Sequence, residues 1–342
     1  MPHAQLLQRS WKCAKLCCAM RKRVAVLTSG GDAPGMNAAV RAIVRAGVHH
    51  GFDMFGVQRG YEGLIAGAII PLTVRDVGGI IQSGGTFLGS ARSAEFMTEA
   101  GRRRALQHLE QRGVEGVIVI GGNGSQSGAD ALAREGLPVI GVASTIDNDL
   151  PGSDITIGVD TALNIALEAI DRLKVTASSH HRGLLVEVMG RKCGYLALMA
   201  GLAGGAEAIV IPEREIAPET IAEIMRAAYD RGKKHALIVV SEGAANNAER
   251  LARYFVHHKA LGFELRATIL GHVQRGGTPT VFDRLLATRL GVGAIQALVR
   301  GEHGVLVGWV DSRVQTTPLR DVVGRTKLLD LSLLDMGEML SA

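Results

Sequence analysis

From Val24 onward, short runs of aliphatic and β-branched residues alternate with stretches whose apolar positions recur every three or four residues. The runs Val24–Thr28, Met54–Val57, Val117–Ile120, Val139–Val142, Leu184–Val188, Ala208–Ile211, Ala236–Val240 and Ala267–Leu270 predict strands. Between the first two, Met36, Ala39, Val40, Ile43, Val44 and Gly47 fall at i, i+3, i+4, i+7 spacing, one face of a helix. Strands that are apolar throughout and separated by helices are buried on both faces, so the pattern predicts α/β architecture with mostly parallel sheets. In such sheets ligands bind beyond the carboxyl ends of the strands. That is where this chain concentrates its glycines, aspartates and arginines. The stretch TIGVDTALNI, Thr156–Ile165, opens a new helix and a second series of strands, so a change of domain is expected near residue 158.

Length and composition narrow the picture. At 342 residues the chain exceeds the roughly 250–300 residues one core sustains, so two domains are expected. Hydrophobic residues make up 47% and charged residues 21%, which excludes disorder. No apolar run approaches the roughly 20 residues of a membrane span, so a soluble protein is expected, with no membrane partner. The 44 glycines are close to twice the usual share of about 7% and cluster in short runs after strands, as loops that approach a ligand closely require.

The net charge of +5 belongs to one end of the chain. Residues 1–23 hold six Lys/Arg and no Asp/Glu, leaving the remainder near neutrality at −1. With 4% aromatic residues and no basic face on the body, nucleic acid is not an expected partner. Cys13, Cys17 and Cys18 also lie in the basic segment and lack paired zinc-site spacing. Cys193 alone lies in the body, which suits a reducing, cytoplasmic location. Residues 1–19 have no apolar region of signal-peptide length, and Met20 directly precedes the first strand. They are expected to be disordered or to arise from an upstream start.

Two glycine loops follow predicted strands. SGGDAPGMNA follows Val24–Thr28, and GGNGSQSG follows Val117–Ile120. Each leads into a helix whose free N–H groups and dipole favour an anion. Neither reads GxxxxGK[ST] or GxGxxG, so a P-loop and a Rossmann fingerprint are both absent. A structural turn explains one such loop as readily as a phosphate site; two in one domain favour a phosphate-rich ligand. Strand Val139–Val142 runs into STIDNDLPG, where Asp147 and Asp149 flank Asn148. A carboxylate pair beside phosphate loops suits a general base for a hydroxyl plus a magnesium-organising group. A locally capped turn is the alternative. The pairs His49–His50, His180–His181 and His257–His258 lack i, i+4 partners and are not expected to hold a metal.

The ordered set TSGGDAPGMNA, GGTFLGSAR (Gly84–Arg92), TIDND (Thr145–Asp149), VEVMGR (Val186–Arg191) and LGHVQRGG (Leu270–Gly277) resembles the bacterial 6-phosphofructokinase family, from about Arg23 to Leu319. The resemblance implies transfer of the γ-phosphoryl of ATP to the 1-hydroxyl of fructose 6-phosphate, with Mg2+ accompanying ATP, in glycolysis. It implies two three-layer α/β domains with mostly parallel sheets. Residues 20–158 with about 271–320 would form the nucleotide domain, and 159–270 with about 321–342 the sugar-phosphate domain.

By the same resemblance, Asp147 is the base that takes the sugar-hydroxyl proton, Thr145 touches the transferring phosphate, and Arg191 and Arg92 neutralise phosphate charge. Gly31, Arg92, Ser93, Gly122, Asn123, Gly124 and Ser125 match the ATP site. Thr145, Asp147, Met189, Gly190, Arg191, Glu242, His272 and Arg275 match the fructose 6-phosphate site. Arg182 and Arg266 match arginines that reach a neighbouring subunit's 6-phosphate, which implies a homotetramer with shared sites. Asn123 and Asp149 match the metal site. Arg41, Arg45, Lys174, Glu207, Lys233 and His235 match an allosteric nucleotide or phosphoenolpyruvate site.

This chain departs from the pattern at several positions. The usual GGDGS loop reads GGNGS, so Asn123 brings an amide oxygen where a carboxylate would ligate magnesium. Ala143 and Ser144 replace the usual Pro-Gly. Gly79 stands where relatives often have an acidic residue, and Lys174 replaces an arginine. The pyrophosphate-using branch typically has an aspartate where this chain has Gly124 and a lysine where it has Ser144, so ATP is the expected donor. The alternatives are a pyrophosphate-dependent enzyme, a non-catalytic sugar-phosphate or nucleotide sensor, and an NAD-kinase-like or lipid-kinase-like enzyme.

Overall fold

The computed structural model describes residues 22–180, 183–257 and 265–341, with side chains described for all of these except residues 178–180. The segment 1–19 with its three cysteines, Arg182, His181 and His258 lie outside the described residues.

Eleven strands are described: β1 (Arg23–Thr28), β2 (Asp53–Val57), β3 (Ile69–Leu72), β4 (Val114–Gly121), β5 (Val139–Ala143), β6 (Gly183–Val188), β7 (Ala208–Val210), β8 (Ala236–Ser241), β9 (Leu265–Ile269), β10 (Val305–Val310) and β11 (Arg313–Pro318). They form a seven-stranded sheet in the order β11-β10-β5-β4-β1-β2-β3 and a four-stranded sheet in the order β7-β8-β6-β9. The smaller sheet is wholly parallel. The larger is parallel through its centre, while β2–β3 and β10–β11 pair antiparallel at its two edges. The chain thus builds most of the large sheet, passes into the small one at β6, and returns through the Val281–Val299 helix to β10.

Three strands, β3, β10 and β11, lie outside the predicted runs, and the sheets are mostly parallel as expected, with one antiparallel pair at each edge of the larger. β11 reads RVQTTP, mostly exposed, without the apolar run that marks an inner strand. β3 is four residues long and contains Pro71, which edge strands tolerate because one side of the ladder is open. β10 and β11 are joined by Asp311 and Ser312 alone, at φ +48 and +60. A two-residue connection with both residues left-handed returns the chain antiparallel; a parallel crossover needs far more chain.

The inner strands are buried along their length: β5, β6 and β8 have no exposed position. Edge strand β9 differs, with Arg266, Ala267 and Ile269 exposed. The two sheets are pinned together by Asp283, buried near the start of the Val281–Val299 helix. Its carboxylate accepts N–H bonds from Gly158 and Thr161, each at 2.8 Å, and the Thr161 hydroxyl at 2.5 Å. Those N–H groups open the Val159–His180 helix, so one aspartate satisfies donors the helix itself leaves unpaired. The carboxyl ends of β1, β4, β5, β6 and β8 consequently open on one cleft.

Candidate active site

The cleft is a cavity of about 570 Å³. Its floor on the large-sheet side is made by the turn after β1, the loop after β4 and the loop after β5. Of the two glycine loops, only the second brings a helix N-terminus to the cavity. Gly122, Asn123, Gly124 and Ser125 line it at the start of the Asn123–Arg134 helix. After β1, Ser29 to Asp32 line it, while the following helix begins farther on at buried Met36. Behind the first loop the cavity thus meets a glycine turn, while the helix N-terminus that follows it stands back from the wall.

Gly31 leaves room for the end of the Arg275 side chain. A Cβ there would stand 2.6 Å from Nη1 of Arg275. That guanidinium donates to the Asp32 carbonyl at 2.8 Å and so spans the cleft from the small-sheet side. Gly190 has a different reason. Its φ is +147, and a Cβ would lie 2.3 Å from the Cys193 carbonyl oxygen.

The loop after β5 is held from below by Ile146, Leu150 and Ile157, all fully buried. Asn148 takes φ +52, and with it Asp147 and Asp149 both line the cavity. The Thr145 hydroxyl accepts the Asp147 N–H at 3.2 Å, and the Thr145 carbonyl accepts the Thr156 hydroxyl at 2.6 Å. Asp147 is 5% exposed, and its Oδ1 is buried with no hydrogen-bond partner. Burial pushes its pKa up to about 6, aided by the nearby Asp149 and Glu242 carboxylates and opposed by Arg275 and Arg191. A buried acceptor with an unused lone pair, flanked by two guanidiniums, suits proton abstraction from a bound hydroxyl.

On the small-sheet side, Oε1 of Glu242 accepts N–H bonds from Gly190 at 3.3 Å and Arg191 at 2.9 Å. This anchors one carboxylate oxygen on the turn after β6. Buried Gln274 takes the Met189 N–H at 2.8 Å and so ties the LGHVQRGG segment to the same turn. Met189, Arg191, Glu242, His272 and Arg275 all line the cavity, as do Arg92, Ser93 and Thr145. Gly190 contributes its N–H to Glu242 and is not itself part of the wall. Arg266 stands on edge strand β9, away from this cavity.

Lys174, Glu207, Lys233 and His235 converge in a separate place. Lys233 Nζ lies 3.1 Å from Oε1 of buried Glu207, whose other oxygen accepts the Leu237 N–H. Lys174 Nζ donates to the Gly204 carbonyl at 2.8 Å. His235 has its pKa lowered, by burial first, with Glu207 acting to raise it and the two lysines to lower it. Arg41 and Arg45 are not among them. They sit on the Met36–His49 helix over the large sheet, opposite buried Met36, Val40 and Val44. Gly79 has φ +72, a conformation that favours glycine.

Ser29, Asp32, Tyr61, Phe96 and Met97 line the cavity without having been singled out, and Ser144, noted above only as a departure from the family pattern, lines it too. Asp32 was legible, since it sits inside the first glycine loop. Tyr61 and Phe96, which stack at 4.0 Å, carried no signal because neither lies in a glycine loop or beside the paired carboxylates in the sequence. Burial pushes the Cys193 thiol up to about 11, so it is no nucleophile at neutral pH.

A phosphofructokinase family model matches residues 23–298. The chain is 52% identical over 322 residues to an ATP-dependent 6-phosphofructokinase of Thermus thermophilus, covering 94% of this chain and 99% of that protein. It is 48% identical over 320 residues to an ATP-dependent 6-phosphofructokinase of Natranaerobius thermophilus, covering 94% and 99%. Among solved structures, a Saccharomyces cerevisiae phosphofructokinase superposes with a TM-score of 0.82 at 41% identity; the match covers 88% of this chain and 45% of that one.

Proposed function

The chain belongs to the phosphofructokinase family, and from that premise we infer that its cleft transfers the γ-phosphoryl of ATP to the 1-hydroxyl of fructose 6-phosphate, giving fructose 1,6-bisphosphate and ADP. The observation that carries this reading is Asp147, a buried carboxylate with an unpartnered oxygen at the meeting point of the two sheets. Phosphoryl transfer asks little covalent chemistry of a protein and depends on positioning and charge stabilisation. Asp147 accepts the hydroxyl proton as the phosphorus–oxygen bond forms. Thr145 beside it contacts the phosphoryl in transit, and Arg191 and Arg92 stabilise charge on the phosphate oxygens. Glu242, fixed through one oxygen by two main-chain N–H groups, offers the other to sugar hydroxyls and so orients the acceptor. Met189, His272 and Arg275 complete the sugar-phosphate side. The Gly122–Ser125 loop, Gly31 and Ser93 take the nucleotide, with main-chain N–H groups facing its phosphates.

Mg2+ fits the donor set. Asn123 spends its amide N–H on the Asp149 carbonyl, which frees its amide oxygen, and Asp149 brings a carboxylate. Magnesium retains several waters and needs only one or two carboxylates beside substrate phosphates, so these two residues would hold it. Bound there, it would neutralise phosphate charge.

Arg266 and Arg182 are assigned to a neighbouring subunit's 6-phosphate, within a homotetramer. Exposure of Arg266 and Ile269 on β9, with exposed Val273, Val281, Phe282 and Leu285 nearby in sequence, supports a covered edge in the assembly. Arg41 and Arg45, with Lys174, Glu207, Lys233 and His235, form the candidate regulatory anion site. Their location in two different layers of one chain suits a site completed between subunits. With ATP and a sugar phosphate as substrates, the expected location is the cytoplasm.

Phosphorus NMR of the protein with ATP, Mg2+ and fructose 6-phosphate tests the reading. Growth of ADP and fructose 1,6-bisphosphate signals is expected; an unchanged mixture would contradict it.

A further inference from the structure

Behind the carboxylate loop runs the chain that follows the Leu319–Val322 helix. Lys327, on this stretch, meets the loop three times. Its main-chain N–H donates to the Asp149 carbonyl at 3.3 Å. Its ammonium donates to the carbonyls of Ser153 at 2.9 Å and Asp154 at 2.5 Å. The Asp154 carbonyl also accepts the Asn148 amide at 3.1 Å. A chain of bonds therefore runs from Lys327 through Asp154 to Asn148, the left-handed residue between the two site carboxylates. From the other side, Asp154 N–H donates to Trp309 at 2.7 Å, and the Trp309 N–H donates to the Ser153 hydroxyl at 2.9 Å. The ammonium is partly buried, and burial holds its pKa below the usual lysine value while Asp154, Cys193 and Asp149 oppose that shift.

Three features separate this lysine from an ordinary surface cation. It gives its donors to main-chain oxygens, where a surface lysine would pair with a carboxylate. It touches the backbone on both flanks of the turn. Its side chain does not line the substrate cavity. We propose that Lys327 is a positioning residue for phosphoryl transfer, holding the Asp147–Asp154 loop in the conformation that presents both carboxylates to the reacting groups. This rests on the phosphotransferase reading of the cleft. Because Lys327 reaches the substrates only through the loop, its loss should fall on turnover and spare substrate affinity. Misplacement of a catalytic group by about 1 Å costs on the order of 100-fold.

The test is steady-state kinetics at saturating Mg2+, varying ATP and fructose 6-phosphate in turn, with melting temperatures recorded alongside. Wild type is read first: no turnover there sinks the phosphotransferase reading itself, before any variant is judged. Given an active wild type, Lys327→Met should lower kcat by about 10- to 100-fold with both KM values within about threefold. Propylammonium added to Lys327→Ala should restore kcat, and Lys327→Arg should fall between wild type and Lys327→Met. A Lys327→Met enzyme with wild-type kcat would overturn the proposal. So would a loss that appears in KM, or one seen only as a lower melting temperature. Should Lys327→Met not fold, Lys327→Arg decides: reduced kcat with unchanged KM supports positioning, and unchanged kcat refutes it.

Discussion

The side-chain amide of Asn123 donates to the main-chain carbonyl of Asp149 at 3.4 Å, joining the start of the Asn123–Arg134 helix to the carboxylate loop. An aspartate at position 123 could not make this bond, but would bring a charge the site otherwise lacks. Asn123→Asp should therefore lower the Mg2+ concentration for half-maximal rate. A charge-assisted contact is worth roughly 1.5–3 kcal/mol at most, which bounds the shift at about 10- to 100-fold. Asp149→Asn should move the requirement upward. Rate against free Mg2+, together with direct titration of Mn2+ binding in the presence of nucleotide, reads both. If neither variant moves either curve, these residues do not organise the metal.

Asp147→Ser should reduce turnover by roughly 10²–10⁴, the range for losing a general base, while both KM values stay within a few-fold. The wild-type pH profile should carry the mark of the same residue. A base works only when ionised, so kcat should fall as pH drops through about 6, the value to which burial raises Asp147. A rate independent of pH between 5 and 8 would remove Asp147 from the mechanism.

The same burial has a thermodynamic sign. The folded-state pKa of about 6 lies above the ordinary 3.8, so the folded protein holds the proton more tightly than the unfolded chain. The stability from this group is complete below the ordinary value and is lost as pH rises through about 6. At pH 7.5 the ionised side chain therefore costs about 2–3 kcal/mol. Asp147→Asn should melt above wild type at pH 7.5, and the difference should shrink towards zero below pH 4. A destabilised Asp147→Asn at pH 7.5 would show that the carboxylate is satisfied in a way its buried oxygen does not suggest.

Arg266→Ala should raise the KM for fructose 6-phosphate by about tenfold or more, as expected for losing one charged hydrogen bond to phosphate, and leave the KM for ATP unchanged. Sedimentation equilibrium on the wild type gives the companion result. A fully active monomer would defeat the assignment of Arg266 to a neighbour's site.

Much of this arrangement was legible in the chain. Buried parallel strands such as β4 and β5 announce themselves by uninterrupted apolar runs, and the residues at their carboxyl ends are those that line the cleft. Strand β11 was not legible, because an exposed edge strand has no apolar period and its pairing is set by the two-residue turn at Asp311–Ser312. The position of Asp147 could be read as a loop carboxylate, but the burial that raises its pKa depends on segments far away in sequence. Lys327 was invisible for the same reason: its partners are carbonyl oxygens 173 and 174 residues away, and main-chain acceptors leave no trace in composition or spacing.

The most direct test is a coupled assay of fructose 1,6-bisphosphate formation by purified wild type and Asp147→Ser, with ATP or pyrophosphate as the only donor. The expected result is rapid product formation by wild type with ATP, little with pyrophosphate, and a rate at least about 100-fold lower for Asp147→Ser with either. Product formation from pyrophosphate alone, or none from either donor, would contradict the account.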